Sequence, residues 1–152
     1  MTDTINSITD WHALARPKPD ARAFSAQLGC HIEEFVEMID ALDLRHEHID
    51  GRVLYELEVL AADLKLGKLT LDPHSPPPGS LFSRTELLDS LADQTVTAAG
   101  VAHCAGMDYP GALAEVDRSN WSKFENGAPV FLPGGKVGKG QFYTPPDLSD
   151  FF

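Results

Sequence analysis

The sequence predicts an all-α fold, a bundle of about four to five helices followed by a glycine-rich C-terminal tail or hairpin. Three stretches predict it. From Arg22 to about Leu44, the residues Phe24, Leu28, Ile32, Phe35, Ile39 and Leu42 recur with the 3.6-residue period of a helix buried on one side. Val53, Leu54, Leu57, Leu60, Ala61 and Leu64 repeat the pattern, and so do Leu87, Leu88, Leu91, Thr95, Ala98 and Ala102. A chain of 152 residues fits one compact domain with a real core.

The elements follow in order. Ile8 to Ala15 forms a short helix that Pro17 and Pro19 end. The Arg22–Leu44 helix carries a second stripe, Cys30, Glu34, Glu37 and Ala41, on another side. A polar break over Arg45–Gly51 leads to the next helix, with Gly67 as its stop. Lys68 to Ser83 holds Pro73, Pro76, Pro77, Pro78 and Gly79, so it is a loop or extended connector. Ser83 or Thr85 caps the longest helix, which runs to about Gly106. After a turn at Gly106-Met107-Asp108, Pro110 opens a further helix to about Lys123. Gly134, Gly135, Gly138 and Gly140 then make Pro129–Lys139 a β-hairpin or an ordered loop.

Composition narrows the function. The formal net charge of −11 argues against duplex nucleic acid or an anionic membrane surface as partner, since both need excess Lys and Arg. Cys30 and Cys104 form no CxxC and no disulfide framework, as expected in a reducing compartment. Met1 to Asp10 is polar, so no signal peptide is expected and the chain reads as cytoplasmic. Against the acidic background, Arg118 to Pro146 holds Arg118, Lys123, Lys136 and Lys139 with Glu125 as its single acid, a local positive pocket.

The chemistry lies in the acidic stripes. Glu34 with Glu37, and Glu86 with Asp89 and Asp93, fall three or four residues apart, on one face of each helix. Carboxylates stacked in this way repel unless a cation lies between them, and hard oxygen donors suit Mg²⁺, with Mn²⁺ as a substitute. Bound Mg²⁺ keeps several waters and can offer one to an electrophile, while a second ion neutralises a leaving group. Phosphate is the natural substrate for such a centre. Lysines and glycine N–H groups of the tail would grip a polyphosphate.

These residues resemble a known family. The ExxE of Glu34 and Glu37 followed by the ExxD of Glu86 and Asp89 is similar to the MazG-like all-α nucleoside triphosphate pyrophosphohydrolases. The likeness runs through "HIEEFVEMIDAL" and from "ELLDSLADQTVTAAGVAHCAGMDYPGALAEVDRSNWSKF" to "GKVGKGQFYTPPDL", the latter similar to short bacterial and phage members. It implies hydrolysis of a (deoxy)nucleoside triphosphate to monophosphate and pyrophosphate, two or three Mg²⁺ ions held by Glu34, Glu37, Glu86 and Asp89, and Asp93 near a metal or the sugar. Glu34 and Glu37 are the implied catalytic carboxylates. Asn120, Lys123, Lys139 and Tyr143 match positions implied to touch phosphates and ribose, with Lys136 a weaker match. A homodimer or homotetramer is implied, in the host cytoplasm if the chain is phage-encoded, with a purine deoxynucleotide such as dGTP as substrate. Two departures stand out: residues 45–83 form an atypical insertion with its own helix, and Trp121 replaces the usual Met of the SNxSK turn.

Blander accounts compete for some of these residues. His103 reads as a core or interface histidine, His46-Glu47-His48 as a charged turn, and Trp11 as a core or interface side chain with base stacking as the alternative. A di-iron bundle would need Glu-x-x-His pairs, which are absent. A non-catalytic nucleotide-binding or regulatory module using the same pocket is the alternative function. Pyrophosphate release with Mg²⁺ distinguishes enzyme from sensor.

Overall fold

A computed structural model of the chain describes residues 2–44, 49–132 and 137–152. The fold is mostly helical, as the periodicities predict. It contains α1 (Thr2–Ala15), α2 (Ala21–Ala41), α3 (Gly51–Leu66), α4 (Arg84–Cys104) and α5 (Tyr109–Trp121). Two short strands, β1 (Phe124–Glu125) and β2 (Ala128–Pro129), and a final 3-10 turn at Ser149–Phe151 complete the described elements. His46, Glu47, His48, Gly134, Gly135 and Lys136 lie outside the described residues. Among the described residues, no helix is long and apolar enough to cross a membrane.

The chain divides into two compact units, Pro19–Phe82 and Met1–Lys18 with Ser83–Phe152. The first is built on α2 and α3. Asp20 caps α2 by accepting the Ala23 N–H at 2.7 Å. Gly29 makes the close approach: a Cβ there would lie 2.7 Å from the Ala61 carbonyl oxygen and 3.0 Å from the Leu64 Cβ. Leu54 and Leu64 are each 1% exposed, and Ala61, Val36 and Ile39 are buried with them.

This seam differs from the predicted one. Ala23, Ser25, Gly29, Val36 and Ile39 are the buried residues of α2, while Phe35 and Leu42 are exposed. Size explains the shift: the helix approaches its neighbour where side chains are small, which turns the larger aromatic and aliphatic groups outward. On α3 the seam is Leu54, Ala61 and Leu64, and Val53 and Leu60 fall outside it. The helix that the sequence reading treats as an insertion is therefore the packing partner of α2.

Polar groups close this unit. The Arg22 guanidinium donates to the carbonyls of Leu64, at 3.0 Å, and Lys65, satisfying the end of α3 with a cation where the helix dipole is negative. Gly67 follows in the left-handed conformation, at φ 75°. Ser25 is fully buried and fully used. Its hydroxyl donates to the Ala21 carbonyl at 2.8 Å and accepts the Leu71 N–H at 2.7 Å, fixing the connector that follows α3.

In the second unit, α1 starts at Thr2, six residues before the predicted Ile8, and packs on α5. Ser83, rather than Thr85, caps α4, accepting the Glu86 N–H at 3.2 Å. Most of the predicted core stripe of α4 is uncovered: Leu88 is 70% exposed, Leu91, Thr95 and Ala98 are exposed and Leu87 is half-buried, while Ala102, its last member, is the helix's buried residue. The hairpin also falls earlier than expected. Asn126 and Gly127, at φ 51° and 77°, form a two-residue turn joining β1 to β2. In the 129–139 stretch, expected as a β-hairpin or an ordered loop, one antiparallel bridge joins Phe131 to Val137 among the described residues.

The Gly29 contact is directly testable. Gly29→Val would push a side chain into a backbone oxygen that cannot move aside, so it should lower stability by about 1–3 kcal/mol, read as a lower denaturant midpoint.

Candidate functional site

The final turn of α5 and the tail build one continuous polar site. Asp108 caps the other end of α5 by accepting the Gly111 N–H at 3.1 Å, and Pro110 occupies the first turn. The tail then runs back along the helix. Ser119 Oγ donates to the Thr144 carbonyl at 2.9 Å, and the Thr144 N–H donates to Ser122 Oγ at 2.9 Å. Arg118 donates to Thr144 Oγ1 at 2.5 Å and to the Pro145 carbonyl at 3.2 Å. At the far end the Asp108 N–H donates to the Phe151 carbonyl at 2.8 Å. Gly111 leaves room for the Phe151 ring, since a Cβ there would lie 2.6 Å from it.

This clamp brings four of the predicted substrate residues into one neighbourhood. Asn120 and Lys123 lie in the turn that holds Thr144, and Lys123 Nζ donates to Asn120 Oδ1 at 2.7 Å. Tyr143 immediately precedes Thr144, and Lys139 Nζ sits 4.9 Å from the centre of its ring. Lys136 lies outside the described residues.

The predicted positive pocket is narrower than its composition. Arg118 is committed to Glu115, with Nε–Oε2 at 2.7 Å and Nη2–Oε1 at 2.6 Å, a bidentate pair. Glu115 Oε1 also accepts the Asp147 N–H at 3.0 Å. The Arg118 hydrogen bond, followed by the Asp147 N–H, lowers the Glu115 pKa to about 2. Glu125 is likewise structural: its carboxylate accepts the Gln141 N–H, and Gly140 leaves room for it, since a Cβ there would lie 2.6 Å from Oε1.

The other side of the α5 turn is held by α1. Trp11 Nε1 donates to the Asn120 carbonyl at 2.9 Å. Trp121 Nε1 donates to Ser7 Oγ at 2.8 Å, and Ser7 donates to Asp117 Oδ2 at 2.6 Å. Phe124 lies 5.4 Å from each indole. Asp117 is buried, and its Oδ1 has no hydrogen-bond partner among the described residues. The sequence reading missed Ser7, Asp117, Ser119 and Thr144; the one available signal was the run of small polar residues flanking Trp121.

The acidic residues are divided between the units. Glu34 and Glu37 are exposed on α2, in the Pro19–Phe82 unit, with the buried Val36 between them. Glu86, Asp89 and Asp93 are exposed on the first half of α4, in the other unit. Among the described residues, no three His, Cys, Asp or Glu side chains gather as a protein-only metal cage would require. The donor chemistry nevertheless fits Mg²⁺, which takes one or two carboxylates and completes its octahedron with waters and substrate phosphates.

No protein-family model, curated protein or solved structure matches the chain significantly.

The Glu115 contacts set a pH expectation. Its folded pKa lies below the ordinary 4.5, so its contribution is complete above that value and is lost as pH falls through about 2. In an NMR titration the Asp147 amide should therefore inflect near pH 2. An inflection near 4.5 would mean that the pair with Arg118 is weak in solution.

Proposed function

We propose that this chain is a metal-dependent nucleoside triphosphate pyrophosphohydrolase, releasing pyrophosphate and a nucleoside monophosphate. The observation that supports this reading most is the gathering of Asn120, Lys123, Lys139 and Tyr143 around the clamped Thr144. Two lysines, an amide and a phenol there match the needs of a polyphosphate and a ribose, in a chain whose net charge would otherwise repel them.

The proposed ligands are Glu34 and Glu37 of α2 with Glu86 and Asp89 of α4, and Asp93 stands next on the same face. Mg²⁺ held by these carboxylates would neutralise phosphate charge and make an attacking water more acidic. Glu37 accepts that water's proton as its oxygen bonds to the α-phosphorus. The bond from the α-phosphorus to the bridging oxygen breaks, and Lys123 and Lys139 hold the departing pyrophosphate. A purine deoxynucleotide, dGTP first, is the proposed substrate, and the cytoplasm the proposed compartment.

Self-association belongs to the same reading. A second copy is the proposed cover for the α4 face on which Leu88 and Leu91 are exposed, giving a homodimer or homotetramer.

Pyrophosphate release from each of the eight common (d)NTPs with Mg²⁺ tests the activity. Turnover should vanish with EDTA, and Glu37→Gln and Asp89→Asn should each lower kcat by at least ~10²-fold. Near-normal turnover in either variant would refute the ligand assignment, whereas tight binding without turnover would favour a regulatory nucleotide-binding module. Light scattering should give two or four chains per particle, and Leu91→Asp should lower that number.

A further inference from the structure

The α1–α5 contact is a reciprocal pair of indole hydrogen bonds. Ser7 and Trp11 stand one turn apart on α1, and Asp117 and Trp121 one turn apart on α5. Each helix sends one indole N–H to the other: Trp11 to the Asn120 carbonyl, and Trp121 to the Ser7 hydroxyl. The proton order is fixed by chemistry. An indole N–H can only donate, so Ser7 receives from Trp121, and its own hydroxyl donates to Asp117 Oδ2.

The recipient of the Trp11 bond matters most. The carbonyls in the last turn of a helix lack the usual i+4 partner; the Asn120 carbonyl accepts the Lys123 N–H at 3.1 Å from its own turn and the Trp11 indole from outside it. The Asn120 carbonyl belongs to the residue whose side chain accepts the Lys123 ammonium. Fixing that carbonyl on the α1 side, while Ser119 and Ser122 fix the tail side, leaves the 119–123 turn little freedom.

From this we infer that Trp11 is a positioning residue for substrate: its indole N–H sets the Asn120–Lys123 pair in the geometry that grips a polyphosphate. The inference rests on the pyrophosphohydrolase reading and adds to it a residue from the opposite end of the chain. Ser7 contributes indirectly, by holding Trp121. Trp11 itself touches no phosphate, and its ring is occupied by Phe124 at 5.4 Å.

Trp11→Phe keeps an aromatic ring against Phe124 and removes only the N–H. Ser7→Ala removes the hydroxyl between Trp121 and Asp117, and Ser7→Thr restores it. The readouts are KM and kcat for the best of the eight (d)NTPs, the Kd of inorganic pyrophosphate by calorimetry, and the thermal midpoint. One lost hydrogen bond to a neutral carbonyl should raise KM and the pyrophosphate Kd about five-fold in Trp11→Phe. The thermal midpoint should stay close to wild type and kcat within about two-fold. Ser7→Ala should act in the same direction, and Ser7→Thr should recover wild-type binding. Unchanged KM and Kd in folded Trp11→Phe would overturn the positioning role while leaving the hydrolase standing. A fall in kcat with KM unchanged would overturn it too. If Trp11→Phe does not fold, the Ser7→Ala and Ser7→Thr pair decides by the same measure. A wild-type protein that neither turns over nor binds any triphosphate overturns both readings.

Discussion

Thr144 trades both backbone groups with two serine hydroxyls at the end of α5, and the larger unit is arranged around that exchange. A tail without regular structure has no ladder to satisfy its N–H and C=O groups. Serine hydroxyls supply the missing partners, since each can donate and accept. The Arg118–Glu115 pair extends the grip to Pro145 and Asp147, and the Phe151 carbonyl ends it at Asp108. Charge-assisted bonds to exposed backbone keep the tail parallel to the helix without a large apolar contact.

The two units are stabilised differently. Pro19–Phe82 depends on close approach of backbones at Gly29 and on Arg22 covering the end of α3. The larger unit depends on directional hydrogen bonds around α5, with Asp117 and Ser119 buried in that helix. Its α4 places apolar side chains, Leu88 and Leu91 among them, in water.

Helix existence was legible in the sequence because the apolar period survives whatever the helices pack against. Which residues enter a seam was less so. Periodicity marks Phe35 and Leu42 as core, yet Gly29 and Ser25 take the seam, because the distance between helices follows the smallest residues. The Asn126-Gly127 dipeptide was a legible hairpin signal, passed over for the glycine-richer stretch downstream. Within the candidate site, the lysines, Asn120 and Tyr143 stand out by type and by motif. Thr144, Ser119 and Ser7 do not, since their role lies in pairings between residues far apart in the chain.

Trp11 and its acceptor, Asn120, are separated by 109 positions. During synthesis α1 therefore leaves the ribosome long before the helix that receives it, and the whole Pro19–Phe82 unit is made in the interval. That unit carries its own contacts and can close on emergence, whereas α1 must wait, indole uncovered, until α5 has appeared. An earlier segment of the nascent polypeptide thus finds its place after a later one.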